Sequence, residues 1–417
     1  MNKETNKLIP ELRFPEFLDK GEWVIESLDK VVDDFIVPMR DKPKNLDGEI
    51  PWCRIEDFNG MYLSCSKSNQ GVSLETVKEM NLKVYPVNTL LVSCSADLGR
   101  CAITQKPLVT NQTFIGLVPV IKKVNTVYLY YVMTNARNEL NARSSGTTIS
   151  YLSRQQFEKF EILLPKPNEQ QKIASCLSSL DEVIAANSQK LEALKNHKKG
   201  LMQNIFPQEG ETEPKFRFPD FVKDGEWTNL TLGEICKITS GGTPNRSESE
   251  FWNGDIPWVS TTLIDFNTIN EVNEYITEVG LQNSSAKIFP KGTILMAMYG
   301  QGKTRGKVGI LGIEAATNQA CAAVLLKEGY NTDYVFQYLS AHYDDIRELS
   351  NKGGQENLSG GLIKIIPISI PNPKEQQKIA DCLSSLDMLI TVQAEKIEQL
   401  KLHKKGLMQG LFPKTIQ

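Results

Sequence analysis

Hydrophobic residues recur along two stretches of the chain in alternating steps of four and three. Ile173, Leu177, Leu180, Ile184, Leu191, Leu194, Leu201 and Ile205 mark the first, and the alternation is unbroken once Asn187 and Lys198 are counted into it. The second carries Ile379, Leu383, Leu386, Ile390, Ile397, Leu400, Leu407 and Leu411, with Gln393 and Lys404 at the polar places. This heptad predicts a long coiled-coil helix in each stretch. Both copies interrupt the seam at the same two positions. A polar seam residue costs stability and can set register, so Asn187 and Gln393 are either register-setters or residues facing water or a nearby loop. Pro167 and Pro373 open the helices, Glu169 and Glu375 put negative charge in the first turn, and Phe-Pro at 206–207 and 412–413 stops them.

The two stretches are copies. The 43 residues from Pro165 return from Pro371 with 28 identities and no gap. Further echoes pair the lead-ins LRFPEF and GEW, ending at Phe17 and Trp23, with FRFPDF and GEW, ending at Phe221 and Trp227. Ile50-Pro51-Trp52 answers Ile256-Pro257-Trp258, and Thr110-Asn111-Gln112 answers Thr317-Asn318-Gln319. The chain is therefore one unit of about 206 residues written twice: lead-in, variable block, long helix. The blocks themselves, residues 24–164 and 228–370, align poorly. Helices held constant while the other domains diverge present two different surfaces in one fixed geometry. A heptad helix repeated in one chain most simply packs on its own copy, antiparallel about a pseudo-two-fold axis, with the variable domains at opposite ends.

The blocks predict a mixed α/β (α+β) class. Candidate strands lie at residues 89–94, 115–121, 292–298 and 320–326, and candidate helices at 128–141 and 332–349. The expected boundaries are 1–164 for the lead-in and first variable domain, 165–207 for the central helix, 208–370 for the second lead-in and domain, and 371–417 for the last helix.

Length and composition agree with several folded domains: 417 residues, 40% hydrophobic and 23% charged. No apolar run approaches the roughly 18 residues that span a bilayer, and the start MNKETNKLIP lacks a signal-peptide core, so a cytoplasmic protein without a membrane partner is expected. Eight cysteines without CxxC spacing read as small buried residues. Three histidines, His197, His342 and His403, make a metal centre an unattractive reading.

Net charge of −3 is unusual for a nucleic-acid binder, but the charge is segregated. Arg100, Lys106, Lys122, Lys123, Arg137 and Arg143 face the single acid Glu139, and Lys287, Lys291, Lys303, Arg305 and Lys307 stand together without acids. Such segregation concentrates positive potential on chosen faces.

Polar and glycine-rich loops supply the candidate chemistry, because glycine lets backbone approach phosphates while Lys, Arg, Gln and Asn reach base edges. In the first block the candidates are Arg40, Lys42, Lys44, Ser95, Arg100, Arg143, Ser144, Ser145, Thr147 and Thr148. In the second they are Thr243, Asn245, Arg246, Tyr299, Gly300, Gln301, Lys303, Thr304, Arg305, Lys307, Lys352 and Gln355. AMYGQGKT, residues 297–304, imitates a P-loop. The glycine-spaced, strand-like RGKVGILGI that follows cannot offer a helix N-terminus to phosphates, so nucleotide binding is not expected. Asn111 with Gln112, and Asn318 with Gln319, either pair with adenine or hold structure; Trp52 and Trp258 read as core.

The lead-ins with GEW, the IPW segments, YGQGKTRG, TNQA and two EQQKIA…LSSLD…HKKGLMQ helices, in this order and twice over, resemble the specificity subunits of Type I restriction-modification systems along essentially the whole chain. The resemblance implies two target-recognition domains joined by two long helices that form an antiparallel coiled coil. It also implies double-stranded DNA as ligand, with two methyltransferase (modification) subunits and ATP-dependent restriction subunits as partners. The chain would select an asymmetric bipartite sequence for adenine methylation and cleavage and catalyse neither. S-adenosylmethionine, ATP and Mg would sit on the partners, with no cofactor or metal here. No NPPY-like motif, FxGxG loop or Walker sequence is present. Two other readings compete: a nucleotide-dependent or self-contained modification enzyme, and a coiled-coil scaffold that does not read DNA. About 38 helical residues span about 57 Å, which exceeds one turn of duplex at about 34–36 Å.

Overall fold

The heptad stretches form helices of 39 residues, Pro167–Ile205 and Pro373–Leu411. All ten seam positions of each are buried or half-buried, and most positions between them are exposed. The computed structural model describes residues 8–38, 42–95, 97–143, 151–208, 210–300, 303–349 and 357–413. The chain divides into a first unit, Met1–Ser188 with Lys396–Gln417, and a second, Gln189–Glu395.

Each unit contains one end of each long helix, and within each the two ends run antiparallel. In the first unit Leu407, Met408, Leu411 and Phe412 join Ile173, Ala174 and Leu177 in one core. Lys404 Nζ donates to Asp181 Oδ1 at 2.5 Å, and Tyr131 donates to Asp181 Oδ2 at 2.7 Å. In the second unit Ile205 and Phe206 pack with Ile379, Ala380 and Leu383. Lys198 Nζ donates to both Asp387 oxygens at 2.6 and 2.7 Å, and Gln337 adds a bond at 2.7 Å. The polar seam positions Lys198 and Lys404 are thus the cations of ion pairs with the aspartates of the two SSLD motifs.

Both variable blocks have the same architecture, two main sheets with helices packed against the larger and a two-stranded ribbon, Val24–Ser27 with Glu161–Leu164 in the first and Thr228–Thr231 with Pro367–Ile370 in the second. In the first unit the five-stranded sheet runs, in spatial order, Val32–Ile36, Phe114–Pro119, Leu90–Ser93, Cys101–Thr104 and Tyr62–Leu63. A three-stranded sheet orders Gly71–Val72, Ile50–Cys53 and Val109–Thr110. The second unit repeats this with Cys236–Ser240, Cys321–Leu326, Ile294–Ala297, Val308–Leu311 and Thr268–Ile269. Its smaller sheet has four strands, Glu274–Ile276, Trp252–Val259, Ala315–Thr317 and Ile288–Phe289. The sequence echoes are strand partners. Trp52 pairs in parallel with Val109 and Cys53 with Thr110, and Trp258 pairs with Ala316 and Val259 with Thr317.

The EQQ motif is the joint between variable block and long helix. Glu169 accepts a two-pronged bond from Arg13 at 2.7 and 2.8 Å and one from Trp23 Nε1 at 3.2 Å. Arg217 grips Glu375 through the same atoms, both bonds at 2.9 Å. The lead-ins RFPEF, RFPDF and GEW therefore exist to clamp the start of each helix. Gln170 accepts from Asn125 N at 2.8 Å, and Gln376 accepts from Asn331 N at 3.0 Å. Asn125 and Asn331 in turn cap the helices Thr126–Asn135 and Thr332–Ala341.

Two expectations need correction. The single helices expected at 128–141 and 332–349 are each broken in two, at Ala136 and at His342, and continue as Arg137–Arg143 and Tyr343–Glu348. The second pieces turn away to cover sheet-edge loops: Arg137 pairs with Asp97, and the Tyr343 hydroxyl donates to Lys303 O. Of the cysteines, Cys53, Cys94, Cys101, Cys236 and Cys321 are buried as read, but Cys176 and Cys382 are half-buried and Cys65 is exposed. Burial pushes the Cys101 and Cys321 thiols up to about 12. Among the described residues no helix is long and apolar enough to cross a membrane, and no group of three potential ligands could hold a metal ion.

Candidate nucleic-acid interface

The richest cluster of candidate side chains lies in the second unit, where three sequence motifs meet at one corner of the smaller sheet. The loop after strand Cys236–Ser240 begins with Gly241 and Gly242, and Gly242 N donates to Thr317 O at 2.8 Å. A Cβ on Gly241 would lie 2.0 Å from that carbonyl, so only glycine permits the approach. Thr243 Oγ1 donates to Gln319 Oε1 at 2.5 Å, which ties the loop to the TNQ turn. The indole of Trp258 donates to Gly242 O and that of Trp252 to Asn245 O, both at 3.1 Å.

Arg246 extends from this braced loop over both indoles, its guanidinium carbon 3.9 Å from the Trp252 ring centre and 5.0 Å from that of Trp258. Its terminal nitrogens pair with the two carboxylate oxygens of Glu274. Arg246 holds the Glu274 carboxyl below its usual range, and Glu274 raises the guanidinium in return. Asn245 is exposed but its Oδ1 is engaged by Ser247 N and Oγ in an Asx turn, at 3.2 and 2.9 Å.

The P-loop imitation joins two antiparallel strands, Ile294–Ala297 and Val308–Leu311, and no helix follows it. Gly300 and Gly306 turn the chain at φ of 135° and 85°. Tyr299 and Lys303 are exposed and Thr304 is half-buried. Lys307 bonds Asp265 at 2.6 Å. Arg305 is about 6% exposed, so its guanidinium is withdrawn from the surface where the sequence placed it. The helix Tyr343–Glu348 lies against this loop: the Tyr343 hydroxyl donates to Lys303 O, and a Cβ on Gly306 would sit 3.1 Å from Arg347.

In the first unit Lys42 and Lys44 are exposed and Ser95 is half-buried. Arg100 donates to Phe58 O at 2.6 Å and shares Asp97 with Arg137, so the carboxylate tempers that basic patch. Arg40, Ser144, Ser145, Thr147, Thr148, Gln301, Lys352 and Gln355, with the side chain of Arg143, lie outside the described residues. In the Asn-Gln pairs the asparagines serve structure: Asn111 Oδ1 accepts from Thr113 at 2.7 Å and Asn318 Oδ1 from Ala320 N at 3.1 Å. Gln112 and Gln319 are exposed in both units. Trp52 and Trp258 are buried at 2% and 3%.

Sequence reasoning missed Trp252 and Glu274. No strand-parity signal pointed to Trp252: a bulge between Trp252 and Ile256 breaks the alternation before Trp258, and the two indoles nonetheless meet edge to face at 5.2 Å. Glu274 had none either, because its strand is three residues long.

Residues 37–196 and 224–402 match a family described as the Type I restriction modification DNA specificity domain. The chain is 31% identical over 275 residues to the Type I restriction enzyme MjaIX specificity subunit of Methanocaldococcus jannaschii, covering 63% of this chain but only 62% of that relative. It is 26% identical over 404 residues to the MjaVIII specificity subunit of the same organism, covering 92% of each. A crystal structure of the Type I restriction-modification system S subunit from M. genitalium shares the fold, with a TM-score of 0.62 at 17% identity over 98% of this chain and all of that one.

Proposed function

The chain belongs to the Type I restriction modification DNA specificity family, and from that premise we propose that each unit reads one half of an asymmetric, bipartite duplex target. In this reading residues 1–164 and 208–370 are the recognition domains, and the helices of 165–207 and 371–417 fix the interval between half-sites. One observation carries it: a buried tryptophan on an IPW strand paired in parallel with the strand that leads into TNQ is built in both blocks, while the sequences between these shared motifs diverge. Equivalent supports carrying unlike surfaces suit a reader of two unlike sequences.

Two methyltransferase subunits and restriction subunits would act where the chain directs them. S-adenosylmethionine, ATP and Mg would belong to those partners, and the chain itself would catalyse nothing. Genome-wide mapping of methylated adenines in cells with and without the chain tests this. The expected result is one two-part motif, methylated only when the chain is present. An unchanged methylation map overturns it.

A further inference from the structure

Arg246 combines features that no other described arginine of the candidate set has together. Its side chain is 55% exposed, its guanidinium carbon lies 3.9 and 5.0 Å from the centres of two indoles, and it springs from a loop braced by Gly241, Gly242 and the Thr243 to Gln319 bond. A guanidinium held over two aromatic rings and paired with a carboxylate has lost rotamer freedom before any ligand arrives. Its present partner also has an informative shape. Glu274 offers two oxygens side by side to the fork of Arg246, and the major-groove edge of guanine offers two acceptors, O6 and N7, in the same manner. The carboxylate is 38% exposed, and an ion pair in such a setting contributes little and exchanges readily.

We propose that Arg246 reads a guanine in the half-site of the second unit, and that Glu274 holds the fork as a stand-in for the base until DNA displaces it. The exposed Gln319, bonded to the same loop, is placed to flank that contact. The proposal rests on the DNA-reading function above and assigns one of its residues. Arginine bound to a phosphate would serve affinity without selecting sequence, and that is the alternative the test must separate.

The test is selection from a random-sequence duplex pool by the full chain, alone and assembled with its methyltransferase subunits. Wild type, Arg246→Lys, Arg246→Ala and Glu274→Gln are compared, with thermal unfolding recorded for each. Lysine keeps a cation over the indoles but lacks the fork, so Arg246→Lys is the deciding variant. It should leave binding to unrelated duplex within about twofold while preference at one G·C pair falls about 5- to 100-fold. Arg246→Ala should lose the same preference, and Glu274→Gln should tighten binding to the selected site. If Arg246→Lys keeps the wild-type motif, or weakens all sequences equally, Arg246 is not a reader. A wild-type chain that selects no sequence removes the DNA-reading function itself and the proposal with it.

Discussion

The carboxylate of Glu169 accepts twice from Arg13 and once from Trp23 while only 1% of its side chain is exposed. From the sequence Glu169 was legible as a negative charge suited to a first helical turn. Its true partner lies 156 residues earlier in the chain, and no local pattern announces a bond of that span. Arg305 shows the reverse: a candidate for DNA contact among Gly and Lys in sequence, it is about 6% exposed, on a loop that a helix some forty residues later touches through Lys303 and Gly306. Removing one member of a buried ion pair strands the other. Glu169→Ala should therefore cost about 3–5 kcal/mol in chemical denaturation, with hydrogen exchange rising in the first unit. Glu375→Ala should do the same to the second. A loss under about 1 kcal/mol would mean that Arg13 finds water when the carboxylate is gone.

The long helices were the most legible elements because a heptad is a local signal, repeated over ten positions and visible twice. Even their irregularities were readable in place, though not in meaning. Lys198 and Lys404 occupy seam positions because each meets an aspartate, and Gln393 is buried in the seam where Asn187 is half-buried and bonds Val183 O. The short strands were far less legible. Tyr62–Leu63 and Thr268–Ile269 are two residues long, too short to carry an alternation, and their neighbours come from distant sequence. The paired IPW and TNQ echoes were the exception, since motifs repeated together proved to be adjacent strands. At this scale the ion pairs invite a double-mutant cycle. Asp181→Asn and Lys404→Met should couple by about 0.5–3 kcal/mol in unfolding experiments, and the second unit should answer likewise through Asp387 and Lys198. Strict additivity would show that the pairs do not lock the helices.

Across the whole molecule the duplication predicted two similar bodies, and two compact units are present. The antiparallel packing expected from the repeat goes further than a seam, because each unit closes its own core on the far end of the other copy's helix. Trp23 meets Phe412 edge-on and Tyr128 lies tilted against it, and Trp227 and Tyr334 pack around Phe206 and its neighbours. A fragment ending near Pro207 therefore lacks Leu407, Leu411 and Phe412 from its core but carries the homologous Leu201, Ile205 and Phe206. Two copies can each supply the missing end to the other. Such a fragment should form a dimer at micromolar concentration by analytical ultracentrifugation, and Phe206→Ala should return it to monomer. A fragment that stays monomeric and folded would show that the first unit closes without a borrowed helix end.

The same closure gives synthesis an order. Residues 396–417 leave the ribosome after all of Gln189–Glu395 has been made, yet they complete the core of the unit translated first. Until then the apolar face around Trp23 and Tyr128 must wait uncovered in the nascent chain, exposed to chaperones and proteases. A message broken in the second half would leave the first unit to complete its core only by pairing with a second truncated copy. The last residues made are thus the ones that close the first core.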